Sequence, residues 1–99
     1  MHHLNPTLWR TCRMLSGTTR IRLLRCLEEN PGSNVSTLAR TVGVGVSAAS
    51  QELRRIQSRG LLQTEHRQAS LIYRFGADPQ VASSAPILKA LRAALSSRG

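Results

Sequence analysis

The segment from Val46 to Ser58 carries the side chains of this sequence that are best suited to contact another molecule. Hydroxyl, amide and guanidinium groups recur on one side of it: Ser47, Ser50, Gln51, Arg54 and Arg55. An amide side chain can pair with an adenine edge, and a guanidinium can pair with guanine or with a phosphate. These residue types, at this spacing, predict hydrogen-bonded recognition of nucleic acid.

The opposite side of the same segment is apolar, with a helical period. Val46, Ala49, Leu53 and Ile56 form this side, and Gly60 ends the segment. The small residues near its start, including Ala48, would let the backbone approach phosphate groups. A merely solvated helix face is the alternative, because arginines on helices usually face water. A tight turn before the segment and a basic hairpin tip after it favour recognition.

The surrounding elements follow from apolar spacing and capping residues. Helices are predicted over residues 7–15, 19–30, 35–42, 46–58 and 84–97. Asn34 is expected to cap the third helix, Gly43 to end it, and Ser84 to cap the last. Leu71, Tyr73 and Phe75 alternate as in a half-buried strand of a hairpin with its tip at residues 67–69.

This order of elements is mainly α with a small β-hairpin (α-α-α-α-β-β-α), which is typical of a winged helix-turn-helix. We predict one such domain over residues 1–99. The helix-turn-helix would occupy residues 35–58, and the hairpin at 61–75 would be the wing. Arg67 and Gln68 at the hairpin tip are further candidate DNA-binding residues.

Charge and cysteine content agree with a nucleic-acid partner. The 99-residue chain has a formal net charge of +9, and Lys89 is the one lysine among its 14 cationic residues. Arginine binds phosphate through a planar fork, although a basic protein from a genome rich in arginine codons would look similar. No apolar run approaches the ~20 residues needed to cross a membrane. With no signal-peptide pattern and two cysteines, a reducing, cytoplasmic location and no membrane partner are expected.

The first and last predicted helices are apolar beyond what a small monomer can cover. We therefore predict a homodimer in which these helices pair across a two-fold axis; the alternative is that they pack on their own domain. The expected interface residues are Leu8, Trp9, Cys12, Leu15, Ile87, Leu88, Leu91 and Leu95.

The segment "VSTLARTVGVGVSAASQELRRIQSRGLL" and the later "YRFGADP" resemble the ArsR/SmtB-type winged-helix repressors. The resemblance covers about residues 21–79. Its positions are Leu38-Ala39, Val42-Gly43, Ser50, Leu53 and Gly60-Leu61-Leu62. It implies a dimeric, sequence-specific transcriptional regulator, here a repressor that binds an inverted-repeat operator in double-stranded DNA.

Three positions depart from the family pattern. Glu52 stands where the family usually has histidine, Gly45 replaces a serine or threonine cap, and Gln68-Ala69 replaces a Gly-Arg pair in the wing. Arg67 is the candidate substitute for that arginine. Glu52 and the altered wing favour an alternative function, a winged-helix interaction module or a non-specific nucleic-acid-binding module.

The sites at which relatives bind metals lack their ligands here, so neither a metal nor another cofactor is predicted and the effector is unknown. The helix at 35–42 has no cysteine, and the last helix has no Asp, His or Cys. His2, His3 and Cys12 form a loose N-terminal trio, and an accidental cluster is the favoured interpretation. A minor alternative is a thiol-based redox-sensing repressor that uses Cys12 and Cys26. The acids are scattered and form no nucleophile–base pair, so we predict that the chain is not an enzyme.

Overall fold

The computed structural model describes residues 17–96, which form four helices and one antiparallel hairpin. The elements in chain order are α1 (Thr18–Glu29), α2 (Val35–Val42), α3 (Val46–Ser58), β1 (Leu62–Arg67), β2 (Ser70–Phe75) and α4 (Ser84–Ser96). This order confirms the predicted winged helix-turn-helix. The predicted helix at 7–15 lies outside the described residues, as does the predicted end of the last helix at residue 97.

The short helix α2 begins and ends at the predicted residues. The Asn34 side chain accepts a hydrogen bond of 2.8 Å from the backbone N–H of Thr37, which caps the first turn. Gly43 ends the helix with φ 83°, in the left-handed region that glycine adopts at little cost. An arginine of α1 fixes this end from outside, since Nη2 of Arg22 donates a 2.6 Å hydrogen bond to the carbonyl of Val42. The end of α2 that leads into the turn before α3 is therefore fixed by the conformation of Gly43 and by the contact of Arg22.

The hairpin turns through two residues, not the three predicted. Leu62 pairs with Phe75 at one end of the ladder and Arg67 pairs with Ser70 at the other. Gln68, the first turn residue, has φ 55°. A positive φ at this position alone is the pattern of a type II′ turn, where glycine is preferred. The tip of the hairpin therefore contains a strained backbone position.

The strand β2 is buried on more than the predicted face. Tyr73 is buried as expected, but Ile72, on the alternate face, is buried as well. The loop before α2 covers it, because Asn34 forms an isolated bridge with Ile72 and the carbonyl of Ser33 accepts a 3.1 Å hydrogen bond from the N–H of Tyr73. The simple alternation predicted for this strand is thus replaced by burial of two consecutive residues.

The core lies where α1, α2, α3, α4 and β2 meet, and its side chains are almost all aliphatic. Its largest fully buried members are Tyr73, Leu23, Leu24, Leu27, Leu38, Leu53, Ile56, Leu61 and Leu91. Val46 was predicted on the apolar side of α3, but 49% of its surface is exposed. That part of the prediction is wrong, because the buried residues of α3 begin only at Ala49.

The last helix contributes to the core of its own chain. Ile87, Leu91 and Leu95 are buried there, and Leu88 is half-buried against the same cluster. The structure gives these side chains partners within their own chain, and their predicted pairing with a second copy stays a prediction. Ser84 also differs from its predicted capping role. Its buried hydroxyl donates a 2.6 Å hydrogen bond to the carbonyl of Asp78, so that it fixes the loop before α4.

One arginine of α4 joins three elements. Nε of Arg92 lies 3.1 Å from Oε1 of Glu28 in α1, and its guanidinium lies over the ring of Phe75 in β2, 5.3 Å from the centroid. Such exposed contacts are each weak, but together they hold α4 in one orientation against α1 and the base of the hairpin.

Candidate nucleic-acid interface

The helix α3 is fixed to the core by one side only. Ala49, Leu53 and Ile56 are all 0% exposed, and their spacing of four and three residues places them on a single face. These three are the buried residues of α3. The opposite face must therefore project away from the core.

The predicted DNA-binding residues of α3 lie on or beside that projecting face. Ser47, Ala48, Gln51, Arg54 and Arg55 are exposed, whereas Ser50 is half-buried. The guanidinium of Arg54 makes only long contacts to Ser50, 3.4 Å from Nη2 to Oγ and 3.5 Å from Nε to the carbonyl oxygen. Contacts of this length are weak, so the donors of Arg54 can turn to another acceptor.

The start of α3 leaves its backbone accessible. The capping position is Gly45, which provides no side-chain hydrogen bond to the first turn. A Cβ built on either Gly43 or Gly45 would meet nothing within 4 Å. The first N–H groups of a helix lack intrahelical partners and carry partial positive charge. An anionic group can therefore approach this end of α3 without displacing a side chain.

The structure resolves the role of the acid on α3. Oε2 of Glu52 lies 2.8 Å from Nε of Arg20 in α1, and its Oε1 lies 3.6 Å from Nη1 of Arg55. Only 14% of the Glu52 side chain is exposed. Because the carboxylate is directed toward α1 and is paired, it does not place an unpaired negative charge on the projecting face. Glu52 joins α1 to α3.

The arginines of the hairpin are arranged differently. Arg67 and Gln68 are exposed at the tip, as predicted. However, Nε of Arg67 lies 3.6 Å from Oε2 of Glu65, and Nε of Arg74 lies 3.5 Å from Oε1 of the same residue. Two arginines thus share one acid on the hairpin, which partly compensates their charge.

A groove of about 700 Å³ joins the second half of α3 to β1. The side chains of the two elements meet where Nε2 of Gln57 donates a 3.4 Å hydrogen bond to Oγ1 of Thr64. Arg54 lines the groove, together with Gln63 and Asp78. Gln57 and Thr64 are not among the DNA-binding residues predicted from the sequence. Gln57 could have been predicted from the helical period, because it lies three residues after Arg54 and therefore on the same side of the helix.

The positive charge of Arg54 also affects Tyr73 of β2. Burial raises the pKa of the Tyr73 phenol above its ordinary value of 10.0, and the positive charge of Arg54 partly opposes this increase. Arg54 also lines the groove between α3 and β1, so a cation lies between the projecting face of α3 and the hairpin.

The titratable residues described by the structure form no further centre. Within residues 17–96, no group of three or more His, Cys, Asp or Glu side chains is placed to hold a metal ion. Cys26 is a buried free thiol near the end of α1. Cys12, its suggested redox partner, lies outside the described residues, as do His2 and His3. None of the helices in the described part is long and apolar enough to cross a membrane.

The structure of this chain is similar to solved structures of transcriptional regulators. The chain superimposes on the antimony-specific transcriptional repressor AntR with a TM-score of 0.68 and 27% identity, over 96% of this chain and 92% of that one. A predicted DNA-binding transcriptional regulator from E. coli gives a TM-score of 0.64 at 23% identity, over 87% and 86% of the two chains. No family model matches the sequence, and no curated protein matches it.

A third similar structure is the homodimeric winged helix-turn-helix DNA-binding domain of Mb0332 from Mycobacterium bovis, described as a possible ArsR-family transcriptional regulator. Its TM-score is 0.66 at 18% identity, over 90% of this chain and 71% of that one. The structural relatives therefore agree with the resemblance found in the sequence. This chain has the winged helix-turn-helix fold of the ArsR-family and related transcriptional regulators.

Proposed function

We propose that this chain is a DNA-binding transcriptional regulator whose helix α3 enters the major groove and reads base edges. The observation that carries the proposal is the division of α3 into a fully buried face and a projecting polar face. Gln51 and Arg54 supply the amide and guanidinium that can make paired hydrogen bonds to adenine and guanine. The exposed Ser47, the half-buried Ser50 and the open start of the helix fit phosphate contacts.

We further propose that the chain acts as a homodimeric repressor on an inverted repeat. Two copies related by a two-fold axis would place their α3 helices about one helical turn of DNA apart, ~34–36 Å. The similar AntR is described as a transcriptional repressor and the similar domain of Mb0332 as a homodimer, which supports both parts of the proposal. The predicted N-terminal helix, with Leu8, Trp9, Cys12 and Leu15, would form the interface together with the side of α4 that the core leaves open.

The proposal assigns no metal to this regulator. The basis is the absence of the family's usual ligands from the sequences of α2 and α4. Metal release of DNA would need such ligands, so we expect zinc, cobalt and antimony(III) to leave DNA binding unchanged. A cytoplasmic location, predicted from the sequence, agrees with access to DNA.

Selection of bound fragments from random duplex DNA tests the function directly. We expect enrichment of an inverted repeat, and an affinity for the selected site that falls steeply with salt as arginines release counterions. Gln51→Ala and Arg54→Ala should each weaken binding to that site by about 5- to 150-fold, the range for losing one paired base contact. Fluorescence anisotropy with a labelled duplex measures these losses.

A matched substitution on the hairpin sharpens this test. Arg67→Ala should weaken binding to selected and random duplexes by similar factors, because a guanidinium at a phosphate carries no sequence information. If Gln51→Ala and Arg54→Ala also weaken both duplexes equally, α3 does not read the sequence.

A second function is favoured by one observation, the partial neutralisation of the hairpin arginines by Glu65. A hairpin whose positive charge is partly compensated suits a winged-helix interaction module or a non-specific nucleic-acid-binding module. That function predicts no enriched sequence and equal affinity for every duplex of the same length. The same selection experiment therefore separates the two functions.

A further inference from the structure

One apolar side chain lies at the start of the proposed reading helix. Val46 is the first residue of α3, and 49% of its surface is exposed. No other large apolar side chain in residues 17–96 is exposed to this degree. An isolated exposed valine needs no explanation by itself, but this one lies at the end of α3 where base contacts are expected.

The surroundings of Val46 are open and small. Gly45 precedes it with empty space beside its backbone, and Ser47 and Ala48 follow it. Ser50, one helical turn later on the same row, is half-buried and short. A flat molecular edge can therefore approach Val46 without meeting a bulky neighbour. The N-terminal residues of a recognition helix are those that contact base edges in helix-turn-helix proteins.

The major groove offers one apolar group to such a side chain. The edges of adenine, guanine and cytosine present hydrogen-bond donors and acceptors there, whereas thymine also presents its C5-methyl group. The amide of Gln51 and the guanidinium of Arg54 form hydrogen bonds, and neither distinguishes a methyl group from a hydrogen atom at that carbon. Recognition of thymine by its methyl group needs an apolar partner, and Val46 is the larger of the two apolar side chains, Val46 and Ala48, that are exposed at the start of α3.

We propose that Val46 is a specificity-determining residue that packs against the C5-methyl group of a thymine in each half-site. The inference rests on the proposed function, since it requires α3 to lie in the major groove. Loss of one buried methyl contact corresponds to about a fourfold change in affinity. Two symmetric half-sites would together give about a fifteenfold change.

Replacement of thymine by deoxyuridine isolates this contact, because it removes the C5-methyl group and leaves every hydrogen-bonding group in place. The selected duplex would be prepared with each thymine replaced in turn, symmetrically in both half-sites. For the unaltered protein we expect about fifteenfold weaker binding at one position and little change at the others. For Val46→Ala the penalty at that position should disappear, because the methyl group then has no partner.

Arg54→Ala is the matched control, since it weakens binding through a different contact on the same helix. It should keep the full deoxyuridine penalty. Val46→Thr, which has nearly the same shape but a hydroxyl in place of one methyl group, should show a reduced penalty. All three variants should sediment as the unaltered protein does.

The inference is overturned if no thymine position shows a penalty, or if Val46→Ala and Arg54→Ala retain it equally. It is also overturned if Val46→Ala changes the association state, because Val46 would then contact a second copy of the chain. A protein that enriches an inverted repeat but tolerates deoxyuridine everywhere loses only the role of Val46. A protein that enriches no sequence loses the proposed function as well.

Discussion

The helix α3 and the hairpin β1–β2 are both exposed and both bear arginines, yet the protein supports them in different ways. Three side chains of α3 are completely buried, and its one acid is paired with Arg20 of another helix. In β1 only the first residue, Leu62, is buried, and the remaining five are exposed. The hairpin acid, Glu65, is paired with the hairpin's own arginines.

This difference separates two requirements for reading DNA. A reading surface must be held in a fixed orientation, and its hydrogen-bonding groups must be free to contact bases. The helix meets both requirements, because its anchors lie on one face and Gln51 and Arg54 lie on the other. The tip of the hairpin meets neither fully, since its charges are partly compensated and its turn contains a strained residue. We therefore expect sequence specificity to come from α3, with the hairpin adding general affinity.

Removing a buried anchor of α3 should have the largest effect. Leu53→Ala should lower the free energy of unfolding by about 2–5 kcal/mol, because it leaves a cavity between α3 and the core. Urea denaturation followed by circular dichroism measures this loss. Gln51→Ala, on the opposite face, should change stability by less than about 0.5 kcal/mol while weakening DNA binding.

The hairpin counterpart of this test is Thr64→Ala, which removes an exposed side chain of β1 that contacts Gln57. Its effect on stability should be below about 0.5 kcal/mol. A loss of stability as large as that of Leu53→Ala would show that β1 is anchored as firmly as α3 and would contradict the expected difference between them.

An intermediate effect is expected for the pair that joins α1 to α3. Glu52→Gln should reduce stability by about 1–3 kcal/mol, the range for a charge-assisted hydrogen bond. It should also raise the affinity for random duplex DNA, because the helix gains one net positive charge. Specificity, measured as the ratio of affinities for selected and random duplexes, should therefore decrease.

A double-mutant cycle with Arg20→Ala determines whether this pair acts directly. Both partners are mostly buried and lie 2.8 Å apart, so we expect a coupling free energy of about 0.5–3 kcal/mol. Additive losses would show that Glu52 stabilises α3 through other contacts.

A small stabilising effect is expected at the tip of the hairpin. Gln68 has φ 55°, a conformation that costs a side-chain-bearing residue about 1–2 kcal/mol. Gln68→Gly should therefore raise the free energy of unfolding by up to about 1 kcal/mol. Ala69→Gly is the control: Ala69 is not in a positive-φ conformation, so the added flexibility should leave stability unchanged or lower. Equal effects of the two substitutions on the free energy of unfolding would show that the backbone at Gln68 is not strained.

Local residue chemistry was enough to predict the helix-turn-helix itself. The Asn34 cap, the left-handed Gly43 and the apolar spacing of Leu53 and Ile56 each act within a few residues, so their signals can be found along the chain. The bounds of α3 agree with the prediction for the same reason. The two-residue hairpin turn was missed because Gln68-Ala69 lacks the glycine that usually marks it.

The order of elements and the polar face of α3 follow from residues that are close together in the chain, since helical periodicity and capping are local. Which apolar residues are buried in the core, and which charges pair, depends on how the elements pack against one another. The spacing of Val46 and Leu53 places both on the apolar side of α3, but Leu53 is fully buried whereas 49% of the surface of Val46 is exposed. Glu52 and Arg20 are 32 residues apart, and only the packing of α1 against α3 brings the two charges together.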